Sequence, residues 1–193
     1  MEIDQANLLI AISSFLEKHK IPYMLTGALT AVYYGRPRAS HDIDFIVEIK
    51  KSDIKRVTDI FKNLSSEYLV QPDSIEEAVT KKTMFNVIYL PTYTKLDFWL
   101  LTNTSFDQER FKRRKKVKLL GKNMVLSTAE DTIIQKLLWY KDSEIEKHIV
   151  DAAFTHQIQN KRLDKKYLIR WITKLNLTNN FRKLDKIDLD KYL

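Results

Sequence analysis

Residues 25–47 read LTGALTAVYYGRPRASHDIDFIV. The apolar run Tyr23-Met24-Leu25 leads into this stretch and stops at Gly27. Small and apolar residues continue to Tyr34, enough for about two helical turns. A basic turn follows, Gly35-Arg36-Pro37-Arg38, and then His41-Asp42-Ile43-Asp44 opens directly into Phe45-Ile46-Val47. The expected order is strand, helix, strand. Side chains alternate along a strand, so Asp42 and Asp44 share one face while Ile43 and Phe45 take the other. Two carboxylates on one face repel, and each raises the other's pKa unless a cation lies between them. Oxygen-only donors of this kind suit Mg²⁺, which takes one or two carboxylates together with substrate phosphates. An Asp-x-Asp pair alone would equally describe a surface strand with two solvated aspartates.

Upstream, Leu8, Leu9, Ala11, Ile12, Phe15 and Leu16 recur at helical spacing, and Pro22 closes that helix. The second helix spans 27–34 and stops at Gly35. It follows the glycine turn, so its free backbone N–H groups are placed to receive a phosphate. A strand over 42–49 leads into a helix over 51–64, with Ile54, Val57, Ile60, Phe61 and Leu64 on one side. A short strand at 68–70 and a helical turn or two at 75–79 come next.

Two strands are expected at 84–90 and 95–101, joined by Pro91-Thr92-Tyr93-Thr94. In the second, Lys95, Asp97 and Trp99 share a face. An aspartate among the apolar residues of Lys-Leu-Asp-Phe-Trp-Leu needs a partner, because burying a lone charge is costly. That partner is either a base such as Lys95, in a purely structural ion pair, or a bound cation.

Residues 110–118, RFKRRKKVK, carry seven charges in nine positions. Such a run is a solvated face or a contact for nucleic-acid phosphates, which act electrostatically. Met124-Val125-Leu126 is expected as a short strand. The helical part begins at Ser127, which with Glu130 matches a capping box. Lys136 sits among Ile133, Ile134, Leu137 and Leu138, either snorkelling to the surface or aimed at an anion. Two more helices are expected within 144–175. His148 and Asp151, three apart, are placed for a pair on a helix surface.

The glycine turn, the helix and the Asp-x-Asp strand together resemble the nucleotidyltransferase fold of the DNA polymerase beta superfamily. The nearest resemblance is to small nucleotidyltransferases that include the AbiEii-type toxins. The segment KTMFNVIYLPTYTKLDFWL (82–100) resembles that family's Lys-x-Asp strand, and STAEDTIIQKLLWYKD (127–142) its following helix, where Asp131 and Lys136 match recurring positions. Lys147–Asp151 resembles its basic-x-x-Asp segment. One departure is Ala28, where the family has serine or glycine after the turn glycine. The resemblance implies an α/β (α+β) fold, a mixed sheet flanked by helices, with a core over 1–126 and a C-terminal helical region over 127–193 packed on it. It implies catalysis and metal binding by Asp42, Asp44 and Asp97, holding two Mg²⁺ ions. It further implies nucleoside triphosphate binding by Thr26, Gly27, Arg36, Arg38 and Lys136. The arginines equally suit loop salt bridges.

Composition sets bounds. The 193 residues are 44% apolar and 11% aromatic, with three glycines, four prolines and no cysteine. Disulfides, thiolate nucleophiles and zinc–thiolate sites are excluded, in keeping with a reducing cytoplasm. No apolar run approaches the ~20 residues of a membrane span, so no membrane partner is expected. The net charge of +8 suggests a polyanionic partner. The expected function is Mg²⁺-dependent transfer of a nucleoside monophosphate to an acceptor. RNA, in particular transfer RNA, is the favoured acceptor, met by Arg110, Lys112, Arg113, Arg114, Lys115 and Lys116. A toxin held by a cognate antitoxin is one form of that function. The alternative is an inactive nucleotide- or RNA-binding module of the same fold.

Overall fold

The computed structural model describes residues 3–193. It divides into two compact units. One holds the chain up to Thr26 together with Ala39–Leu126; the other holds Gly27–Arg38 and Ser127–Leu193.

In the first unit, seven strands among the described residues form one mixed sheet. They are β1 (Tyr23–Leu25), β2 (Asp42–Val47), β3 (Tyr68–Val70), β4 (Met84–Tyr89), β5 (Thr94–Leu100), β6 (Lys115–Leu119) and β7 (Lys122–Leu126). Their order across the sheet is β3-β4-β5-β2-β1-β7-β6, so β3 and β6 are the edges. Strand β2 runs parallel to β5, and β1 to β7; the other pairs are antiparallel. One face carries a buried aromatic core. Phe45, Phe85 and Phe98 stand side by side on it, and Phe61 packs edge-on against Phe85 and Phe98. Phe61 comes from α3 (Ile54–Lys62), and Phe15 of α1 (Ile3–Lys18) meets it in turn. Helix α4 (Pro72–Lys81) buries Ile75, Ala78 and Val79. It starts earlier than the apolar spacing suggested, because Pro72 supplies a preset φ at the first turn.

The basic run differs from its sequence reading. Its first part belongs to α5 (Ser105–Arg113), and its second part is β6. Thr104 caps α5 by accepting the Asp107 N–H, and Phe106, Arg110 and Phe111 form its buried side. Phe111 packs with Met24, Ile46, Leu101 and Val125, on the sheet face opposite the phenylalanine core.

The second unit is helical, with α2 (Gly27–Tyr34), α6 (Ala129–Ser143), α7 (Glu146–Gln159), α8 (Lys165–Lys174) and the short α9 (Thr178–Phe181). The cap of α6 is Thr128 rather than Ser127: its hydroxyl accepts the Asp131 N–H and donates to the Asp131 carboxylate. Glu130 turns away from the cap and accepts the Asp164 N–H. Helix α2 ends at Gly35, where φ is +146° and an added Cβ would stand 2.5 Å from Ile158 Cδ1. Any other residue would be strained there and would push the Ile158 side chain of α7 aside.

Candidate active site

The three aspartates meet on the sheet as the sequence suggested. Asp44 and Asp97 are direct register partners on the parallel strands β2 and β5, and Asp42 pairs with Lys95 one step along. All three therefore share a face, the one that carries Ile46 and Met24. Asp42 is exposed, Asp44 half-buried, and Asp97 only 7% exposed. The Thr26 N–H donates to the Asp44 carbonyl at 3.0 Å, tying the end of β1 to the aspartate strand. Gly27 then takes φ +68°, a left-handed turn that suits glycine.

Each inner carboxylate is held. Lys95 Nζ lies 3.1 Å from both oxygens of Asp97 and donates to Oδ2. The Trp99 ring nitrogen donates to Asp44 Oδ1 at 3.3 Å. Asp97 Oδ1 is buried and, beyond the Lys95 charge 3.1 Å away, has no hydrogen-bond partner. Burial raises the Asp97 carboxyl above its ordinary range; Lys95 opposes this, and the charges of Asp44 and Asp42 add to it. Among the described residues no three carboxylate or histidine side chains are already grouped around a metal position. The donor set nonetheless fits a hard divalent cation. It is all oxygen, it is over-charged, and its most buried member has an unsatisfied atom.

The cations expected to bind phosphate converge instead on one carboxylate within the second unit. Asp151 is fully buried. Arg38 Nε and Nη2 donate to its two oxygens, each at 2.9 Å. Lys136 Nζ stands 2.7 Å from Oδ2, and Arg36 Nη1 donates to Oδ1. Arg36 also donates to the Lys147 carbonyl at 3.1 Å. Burial alone would raise the Asp151 pKa, but the Arg38 hydrogen bonds and the Lys136 charge outweigh it and bring the carboxyl to about 2. Neither the snorkelling option for Lys136 nor the surface placement of Asp151 matches this geometry; the anion at which Lys136 is aimed is the Asp151 carboxylate. Lys136 is 3% exposed and its partner is Asp151, from the next helix. His148, on the same helix, is neutral: burial first, then the Lys136 charge, lowers its pKa to about 4. Asp131 is a structural group, held by Thr128 and by the Tyr167 hydroxyl.

The basic run divides. Arg110 is buried, paired with Asp107 at 2.7 Å and set against the Phe106 ring. Arg114 lies over the Phe111 ring, 4.1 Å from its centre. Lys112, Lys115, Lys116 and Lys118 are exposed, and Arg113 is half-buried. The strand register puts Lys116 opposite Val125 and Lys118 opposite Asn123, so both lie on the aspartate face.

No protein-family model matches the chain, and a search of curated proteins finds no match. Solved structures do match. The antibiotic-resistance factor ANT(2″)-Ia superposes with a TM-score of 0.61 at 12% identity, over 94% of this chain and 98% of its own. An antigenic nucleotidyltransferase-like protein from Paracoccidioides brasiliensis gives 0.57 at 14% identity, over 94% of each chain. The chain has a nucleotidyltransferase fold. The lincosamide antibiotic adenylyltransferase LnuA, bound to lincomycin, shares it with a TM-score of 0.52 at 14% identity, over 78% of this chain and 95% of its own. Within that fold, the sequence had marked the aspartates. It had not marked Asp151 as the common acceptor of three cations, nor the tie between Trp99 and Asp44. For Trp99 the available signal was its place two residues after Asp97.

Proposed function

We propose that this protein is a Mg²⁺-dependent nucleotidyltransferase that moves a nucleoside monophosphate from a triphosphate to a hydroxyl of RNA, with transfer RNA as the first candidate. The observation that carries the reading is the register pairing of Asp44 with Asp97 beside Asp42, with an unsatisfied oxygen on Asp97. Asp42 and Asp44 would hold two Mg²⁺ ions, and Asp97 one of them. Bound there, Mg²⁺ would supply a lowered pKa for the attacking hydroxyl and charge neutralisation for the leaving pyrophosphate. The acceptor oxygen bonds to the α-phosphorus as the bond to pyrophosphate breaks. Asp97, beside the attacking oxygen, would accept the hydroxyl proton. Thr26 and Gly27 offer a turn where backbone can approach a phosphate with no Cβ in the way. Arg36, Arg38 and Lys136, which meet at Asp151, are the candidates for the phosphate oxygens.

The RNA part of the reading is supported by α5. Phe111 packs on Ile46, two residues beyond Asp44, so the basic turn that follows is on the aspartate face, as are Lys116 and Lys118. The same chemistry would serve a toxin under a cognate antitoxin. A small hydroxylic acceptor is the second reading, favoured by neighbours described as an antibiotic adenylyltransferase with lincomycin and as ANT(2″)-Ia with adenylyl-2″-tobramycin. Incubation with Mg²⁺, each labelled triphosphate and total RNA tests the proposal. Label on RNA, with pyrophosphate released, is expected; pyrophosphate without labelled RNA would favour the small acceptor, and no pyrophosphate at all would refute transfer.

A further inference from the structure

Strand register arranges the β3–β4–β5–β2 part of the aspartate face in rows, closed at one end where Phe111 covers Ile46. Leu69, Ile88, Lys95 and Asp42 form one row; Asn86, Asp97 and Asp44 the next; Met84, Trp99 and Ile46 the third. The carboxylate row is thus bordered on one side by Met84, Trp99 and Ile46, and on the other by Lys95 and Asp42 with Ile88 and Leu69 beyond them. Leu69 and Trp99 are exposed, and Met84, Asn86 and Ile88 half-buried.

Trp99 is the unusual member. It is 40% exposed although β5 has a paired strand on either side. An indole is the largest apolar side chain, and one left open at the centre of a sheet is a contact surface in waiting. Its ring nitrogen is fixed to Asp44, which keeps the ring beside the carboxylates. Apart from Lys95, which Asp97 holds, these rows contain no basic residue. They cannot grip a phosphate. They offer a flat, uncharged ring a place to stack, next to the carboxylate that takes the acceptor's proton.

We propose that Trp99 is the platform for the terminal nucleobase of the acceptor RNA, with the ribose hydroxyl of that nucleotide turned to Asp97. The inference rests on the proposed transfer to RNA and names how its reacting end is held. Stacking on an indole uses the π-face that every base has, so it imposes little sequence preference. The exposed lysines of α5 and β6 would meet phosphates further from the end.

The test measures binding of a short single-stranded oligoribonucleotide, with Mg²⁺ and no triphosphate, and compares an intact 3′ nucleotide with an abasic one. Wild-type protein is expected to bind the intact end at least about fivefold more tightly, the lower range for one stacked base. Trp99→Ala should bind both ends alike, at the level of the abasic end. Trp99→Phe keeps a ring and loses only the N–H bond to Asp44, so it should still discriminate. If wild type binds both ends equally or neither, or if Trp99→Ala still discriminates, the proposal is overturned. The wild-type comparison needs no variant, so misfolding of a mutant cannot shield it. The underlying reading fails separately: absence of pyrophosphate release from Mg²⁺ and triphosphate with RNA refutes the transfer, whatever Trp99 does.

Discussion

Lys136 Nζ lies 2.7 Å from Asp151 Oδ2, and the two side chains are 3% and 0% exposed. Removing one member of a buried pair strands the other. Asp151 keeps Arg36 and Arg38, so the loss is softened. Lys136→Met should lower unfolding free energy by about 1–3 kcal/mol, the range for a lost bond to a charged group. Urea titration at neutral pH measures it; an unchanged midpoint would contradict the geometry. Asp151→Asn should cost more, since it leaves three cations facing one another.

Asp42→Ala should abolish Mg²⁺-dependent triphosphate binding while the fold persists. Asp42 is exposed, so its removal opens no cavity and relieves repulsion with Asp44. Calorimetric titration with triphosphate and Mg²⁺ decides the matter, and wild-type affinity in the variant would remove Asp42 from the metal site.

The pKa of Asp97 gives a signed expectation. Its folded value is raised, so the native state holds the proton over a range where the unfolded chain has lost it. Metal-free protein should therefore lose stability as pH rises from the ordinary carboxylate value through that of Asp97. Asp97→Asn should flatten this part of the profile and leave neutral-pH stability equal or higher, while transfer activity disappears. Denaturant unfolding across pH 3.5 to 7 would show it.

His148 and Asp151 work in the other direction. Burial and the Lys136 charge lower the His148 pKa to about 4 in the fold, so stability should fall as pH drops from its ordinary value of 6.5 towards 4. Asp151, at about 2, adds a second loss below its ordinary value of 3.8. His148→Gln should remove the first loss and spare the second, as melting curves at a series of pH values would record.

Charge reversal at Lys112, Lys116 and Lys118 should weaken RNA binding and labelling together and leave triphosphate binding intact. With about 0.7 counterions released per single-strand phosphate contact, the logarithmic salt slope should fall by about 2. A triple variant that labels RNA like wild type would eliminate this surface as the RNA contact.

How much of this was legible in the chain depended on range. The strand–helix–strand of residues 23–47 was readable because alternation and turn residues are local properties. The pairing of Asp44 with Asp97 could be expected only through resemblance, since register is set by the whole sheet. Helix α5 was hidden because its buried side includes Arg110, and charge masks periodicity. The Asp151 cluster joins residues 15 and 115 apart, and no spacing rule reaches that far. Ser127 and Thr128 were equally good caps by type, and the choice fell to the one whose hydroxyl also reaches Asp131.

Strand β6 closes one side of the sheet and carries Lys115, Lys116 and Lys118 along a five-residue edge. Among the described residues no strand lies beyond its outer backbone N–H and C=O groups, which makes this border a candidate template for another copy of the chain. Mutual repulsion of the lysines keeps such copies apart. Neutralising them, by acetylation or by high salt, would strip the sheet of its guard, and the protein would then stick to itself border to border. If Lys116 and Lys118 also meet RNA as proposed, the same two side chains would serve both the border and that contact.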